Sequence, residues 1–118
     1  MFRYYNANPV LNEVEDCSIR AISVAEGISW DEAYKKLCRF ARHNGLMISS
    51  VENIEKYLDD KYDRIPVYYK TIREFANNNK YGIYLITMKG HITVIKDGII
   101  YDTFDPSNRI IWDVWQIE

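Results

Sequence analysis

The feature that most restricts the fold of this chain is a change of character near residue 80. Upstream lie three Ser/Thr-x-x-Glu boxes, Ser29–Glu32, Ser49–Glu52 and Thr71–Glu74. Each can satisfy free N–H groups at the start of a helix. Downstream, residues 81–88, 91–96, 99–104 and 110–117 are rich in Ile, Val, Tyr, Trp and Thr, which suit a pleated, half-buried surface. Asp97-Gly98 is a two-residue hairpin turn, and Lys89-Gly90 and Pro106-Ser107-Asn108 mark two more turns. Helices first and antiparallel strands later imply an α+β fold, with N-terminal helices packed on a C-terminal antiparallel sheet.

The helices can be placed one by one. Asp16 is suited to cap a helix over residues 17–26, which Gly27 would stop. Ile19, Ala21, Ile22, Val24 and Ala25 make that helix apolar around most of its circumference, the pattern of a buried helix. The second helix carries a stripe of Trp30, Ala33, Tyr34, Leu37, Cys38 and Ala41, and ends at His43-Asn44-Gly45. Cys38 on that stripe reads as a small core residue, and His43 as a cation complementing the helix C-terminus. The third helix turns Val51, Ile54, Tyr57 and Leu58 inward, and the short fourth stops at Asn77-Asn78-Asn79. Residues 65–69 are expected to be extended and the first fifteen or so irregular. Within the 118 residues no repeat or linker is visible, so residues 1–118 read as one domain.

Charge and cysteine content narrow the function. The formal net charge of -2 lacks the basic surplus of a duplex nucleic-acid binder. The ten tyrosines do not cluster with basic residues and read as strand and rim positions. Cys17 and Cys38 form no Cys-x-x-Cys pair, and His43 and His91 are far apart, so neither a structural zinc nor any other cofactor is expected. The apolar runs are too short to span a bilayer and the opening residues are not those of a secretory signal. The expected compartment is a reducing cytoplasm, where a lone thiol persists.

Cys17 stands out by position. It is the first residue of a helix, where free N–H groups and the helix dipole favour a thiolate. Asp16 beside it works the other way, so a cationic partner is needed. His91, after Gly90 at a strand start, is the candidate: an imidazole can hold the thiol's proton, and the resulting ion pair stabilises both charged forms. The imidazole then needs an acceptor on its other nitrogen. If Asp97 and Gly98 form the turn, Lys96 pairs with Ile99, Thr93 with Asp102 and His91 with Phe104. His91 and Asp102 then share a face and meet diagonally, while Asp105 faces away. A bulge or longer loop would exchange Asp102 for Asp105. Arg20, one turn after Cys17, is placed to pair with Asp16 or Glu13 or to support the site's field. Trp112 and Trp115, three apart on a strand, face opposite sides, one toward the core and the other toward a surface groove.

A helix-starting Cys, a later strand His and an acidic residue on the next strand resemble the chain order of papain-like cysteine peptidases. Asp102-Thr103-Phe104 looks like their Asn-Ser-Trp segment. The resemblance implies Cys17 as nucleophile, His91 as base, Asp102 as orienter and Phe104 as the aromatic cover of that contact. Nearly the whole chain also resembles small phage and prophage proteins. The shared pieces are Asn8-Pro9, Asp16-Cys17-Ser18-Ile19-Arg20-Ala21, Gly90-His91 and Tyr101-Asp102-Thr103-Phe104-Asp105. If the chain is phage encoded, the compartment is the host cytoplasm. The pattern departs at the oxyanion side chain: papain-like enzymes commonly carry Gln six residues before the Cys, where this chain has Leu11. Asn12 and Asn8 are the nearby substitutes, and the backbone N–H of Cys17 is the other implied donor. Two readings follow. One is a thiol-dependent peptidase or amidase acting on a peptide or protein substrate. The other is a papain-like module without turnover that occupies a host protein.

Overall fold

In the computed structural model, which describes residues 1–12 and 15–118, four helices pack against a six-stranded mixed sheet. The elements are β1 (Phe2–Tyr4), α1 (Cys17–Glu26), α2 (Trp30–Asn44), α3 (Val51–Lys61), β2 (Asp63–Ile65), α4 (Ile72–Asn78), β3 (Ile83–Met88), β4 (His91–Lys96), β5 (Ile99–Asp102) and β6 (Asp113–Gln116). The sheet order is β1-β5-β4-β3-β6-β2.

Local chemistry sets most helix ends. Ser29 Oγ accepts from the Glu32 N–H at 3.1 Å, and Gly45 closes α2 in the left-handed conformation with φ 64. Thr71 caps α4 in the same manner. Ser29→Ala is expected to cost about 1 kcal/mol, the usual worth of such a cap, measured as a lower urea midpoint at unchanged slope. At α3 the cap is Ser50, whose Oγ accepts from the Asn53 N–H, not Ser49 as the box spacing suggested. Two adjacent serines offer the same bond, and the backbone turn from Met47 to Ser50 selects the second.

Asp16 departs further from expectation. It precedes α1, but its backbone is non-extended and its side chain makes no cap bond. The carboxylate is buried and bonded instead to Arg20, to Trp30 Nε1 at 2.9 Å and to Asn8 Nδ2 at 3.3 Å. Charged and indole donors from tertiary neighbours outcompete a local amide for a buried carboxylate.

The sheet is antiparallel from β5 through β4, β3 and β6 to β2, as the turn pattern implied. It is not wholly antiparallel, because β1 joins parallel to β5, with Phe2 opposite Ile100 and Tyr4 opposite Asp102. The opening residues were expected to be irregular. A three-residue strand is too short for its alternation to register in sequence, and its pairing is purely tertiary. Residues 63–65 form the other edge strand, which shares only Ile65 with the segment 65–69 expected to be extended.

Both faces of the sheet are covered. Ile83, Leu85, Ile92, Val94 and Trp115 pack under α1–α3 with Ile22, Leu37 and Leu58. Tyr84, Ile86, Met88, Ile95, Ile100 and Val114 face α4 with Ile72 and Phe75. That two-sided cover is why every residue of β3 is buried. The tryptophans do divide between core and surface, though Trp112 lies just ahead of β6 and not within it: Trp115 is fully buried and Trp112 is 55% exposed.

Candidate active site

Cys17 is the first residue of α1 and His91 the first of β4. α1 lies along β4 with its N-terminus at the end of the strand where His91 stands, so helix and strand deliver their first side chains to one cleft. Gly90, with φ 69, makes the tight β3–β4 turn that precedes His91 and itself lines the cleft.

His91 Nε2 lies 2.6 Å from Asp102 Oδ2. The other carboxylate oxygen accepts from the Thr103 N–H at 2.7 Å, so both oxygens of this buried group are held. With Nε2 on the carboxylate, Nδ1 is the nitrogen left to meet the Cys17 sulfur. The register behind this contact is the two-residue turn: Lys96 pairs with Ile99, and Asp97 and Gly98 both take positive φ. Asp105 lies elsewhere, accepting from the Ser107 N–H and hydroxyl in the following turn. Phe104 stacks on His91 with ring centroids 4.6 Å apart, and the Arg109 guanidinium lies over its ring.

The charges support an ion pair. Burial pushes the Cys17 thiol up, but hydrogen bonding to His91 and to the Ile92 N–H, with the positive charges of His91 and Arg20, outweighs it. The net result is a thiol held below its ordinary value. Burial pushes His91 down, yet bonding to Asp102 and Cys17 and their negative charges raise it to about 9. The two shifts, the thiol down and the imidazole up, both run in the direction that favours a thiolate–imidazolium pair.

The cleft has two lobes that meet at Cys17 and His91. One, of about 150 Å³, is walled by Val51, Ile54, Thr87, Met88, Ile92 and Trp112. A pocket of that size and lining holds a benzene-sized group. The other, of about 350 Å³, is polar and includes Arg20 and Phe104. Ser49, released from the capping role expected of it, lines both lobes. Nothing in the sequence marked Ser49, Met88 or Ile54 as cleft residues; the odd spacing of the tryptophans assigned one of the two to a groove without saying which, and that one is Trp112.

Neither asparagine offered as an oxyanion donor lines the cleft. Asn8 is buried, with its Nδ2 on Asp16 and its Oδ1 accepting from the Val10 N–H. Asn12 is exposed, and its carbonyl accepts from Asn6 Nδ2. Leu11 is 71% exposed. What the site does offer is the start of α1, whose first-turn N–H groups receive no side-chain cap. Glu13, one of the two partners considered for Arg20, lies outside the described residues.

Among the described residues, no three His, Cys, Asp or Glu side chains converge to hold a metal ion, and no helix is long and apolar enough to cross a membrane. Both cysteines are free. No protein-family model, no curated protein and no solved structure matches this chain.

Proposed function

We propose that this domain has a papain-like architecture and acts as a thiol-dependent peptidase or amidase, phage or prophage associated, working on peptide or protein substrates in the cytoplasm. The observation that carries the reading is the line of Cys17, His91 and Asp102 at one open cleft, with thiol and imidazole shifted in opposite directions. In the reaction, the Cys17 thiolate attacks the scissile carbonyl carbon and its C–O π pair moves to oxygen. The first-turn N–H groups of α1 receive that oxyanion. His91 then gives its proton to the leaving amine, the tetrahedral species collapses to a thioester, and the C–N bond breaks. Water, deprotonated by the now neutral imidazole, hydrolyses the thioester and restores thiolate and imidazolium. Asp102 keeps the ring oriented throughout.

One observation favours the second reading, a module that occupies a host protein without turnover: neither Asn8 nor Asn12 lines the cleft. An oxyanion site short of one donor gives up about 2.7–4 kcal/mol of barrier lowering.

The test is a pH series of iodoacetamide labelling, read at Cys17 by peptide mass spectrometry. In the native chain, the labelling profile is expected to lie below that of an ordinary thiol. His91→Ala removes the bond and the cation while burial remains, so its labelling should require a pH higher by one unit or more (roughly tenfold slower near neutrality). Hydrolysis should fall as pH rises through about 9, where His91 loses the proton the leaving group needs. A native Cys17 that titrates as an ordinary thiol, indifferent to His91→Ala, would sink the ion-pair mechanism.

A further inference from the structure

Arg20 sits one turn into α1 with its side chain 11% exposed. Its Nη1 bonds Asp16 Oδ1, and its Nη2 lies 3.9 Å from Asp102 Oδ1. Among the described residues, this is the ion pair that joins α1 to the sheet. Asp16 is bound on its other oxygen by Trp30 and Asn8, and Asp102 on its other oxygen by His91. The guanidinium thus stands between two buried carboxylates, one next to Cys17 in sequence and one bonded to His91.

Resting on the reading of Cys17, His91 and Asp102 as one unit, we infer that Arg20 is the positioning residue of this site: it cancels the charge of Asp16 beside the thiol and holds the Asp102 carboxylate toward His91, so that thiolate and imidazolium form together. The charge count explains the need. A thiolate forming at Cys17 has the buried carboxylate of Asp16 next to it in sequence and that of Asp102 bonded to its partner His91, with Glu15 and Glu55 lining the same cleft from the segment before α1 and from α3. Against these four carboxylates stand His91 on β4 and Arg20 on α1. Without Arg20 the imidazolium alone would offset them, and the neutral thiol would be favoured at higher pH.

Arg20 takes part in no proton transfer, so activity alone would not separate positioning from support of the fold. The deciding readout is the pH dependence of Cys17 labelling by iodoacetamide in four chains: native, Arg20→Lys, Asp16→Asn, and Asp16→Asn with Arg20→Met. The double variant removes guanidinium and facing carboxylate together, so no buried Asp16 is left unpaired to unfold the chain. Its labelling profile is expected to lie about one pH unit above that of Asp16→Asn, with labelling about tenfold slower at pH 6. Arg20→Lys keeps a cation and is expected to return most of the native profile. A double variant that labels like Asp16→Asn, or an Arg20→Lys profile displaced as far as the double variant's, overturns the inference. The native profile is read first: if it is that of an ordinary thiol, the ion-pair reading itself has failed. If the native profile is depressed and the variants leave it unmoved, only the role of Arg20 has.

Discussion

Cys17→Ala is expected to abolish peptide hydrolysis, with a loss on the order of 10⁴–10⁶-fold and little change in stability. The magnitude follows from covalent catalysis: without the sulfur no thioester forms, and an attack by water must be made without a nucleophile on the helix end. At about 1.36 kcal/mol per tenfold, the loss corresponds to roughly 5–8 kcal/mol of barrier. Stability should change by less than about 1 kcal/mol, because the residue is only partly buried and alanine retains its helical start. The measurement is cleavage of a mixed peptide library followed by mass spectrometry, with native and variant chains compared after their melting temperatures are shown to agree. Cleavage that survives Cys17→Ala rules out the thiol mechanism. If the native chain cleaves nothing while a biological effect persists in Cys17→Ala, the binding-module reading takes its place.

Trp115→Ala carries the largest expected effect on stability. The side chain is fully buried under α1–α3, its Nε1 donates to Asp59 at 2.9 Å, and the Arg64 guanidinium lies 4.7 Å from its ring centroid. Truncation removes the largest side chain of that core and leaves a cavity, a loss of about 3–5 kcal/mol from a total that for such domains is about 5–15 kcal/mol. Thermal melting should drop by about 10–25 °C. Trp112→Ala, three residues away on the exposed side, is the matched control and should move the melting point by only a few degrees. Its effect should fall on the cleft, whose apolar lobe it walls. Equal destabilisation by the two substitutions would contradict the placement of Trp115 in the core and Trp112 at the surface.

The two tryptophans illustrate what could be read ahead of the structure. Strand parity is local, so their separation was legible, but which one entered the core was not, because that depends on which face the helices cover. The caps at Ser29 and Thr71 and the turn at Asp97-Gly98 are also local, and they set α2, α4 and the β4–β5 register. That register is what put Asp102 within reach of His91 by counting alone. Where a local preference met a tertiary competitor, the local one lost. Asp16 left its cap for Arg20, Trp30 and Asn8. Ser49, by contrast, yielded the α3 cap to its neighbour Ser50 through the local Met47–Ser50 turn, and it lines the cleft. Phe2–Tyr4 took a place in the sheet that no alternation announced.

By itself, then, the order of residues determined the helix-then-strand architecture, the position of Cys17 at a helix start and the shared face of His91 and Asp102. These follow from interactions spanning a few residues or one hairpin. Only the tertiary structure decided that α1 meets β4 with Cys17 at His91, that Arg20 stands between Asp16 and Asp102, and that Asn8 and Asn12 stay out of the cleft lining. Those outcomes depend on packing between distant segments, where burial makes each unpaired charge costly and leaves few arrangements that satisfy them all.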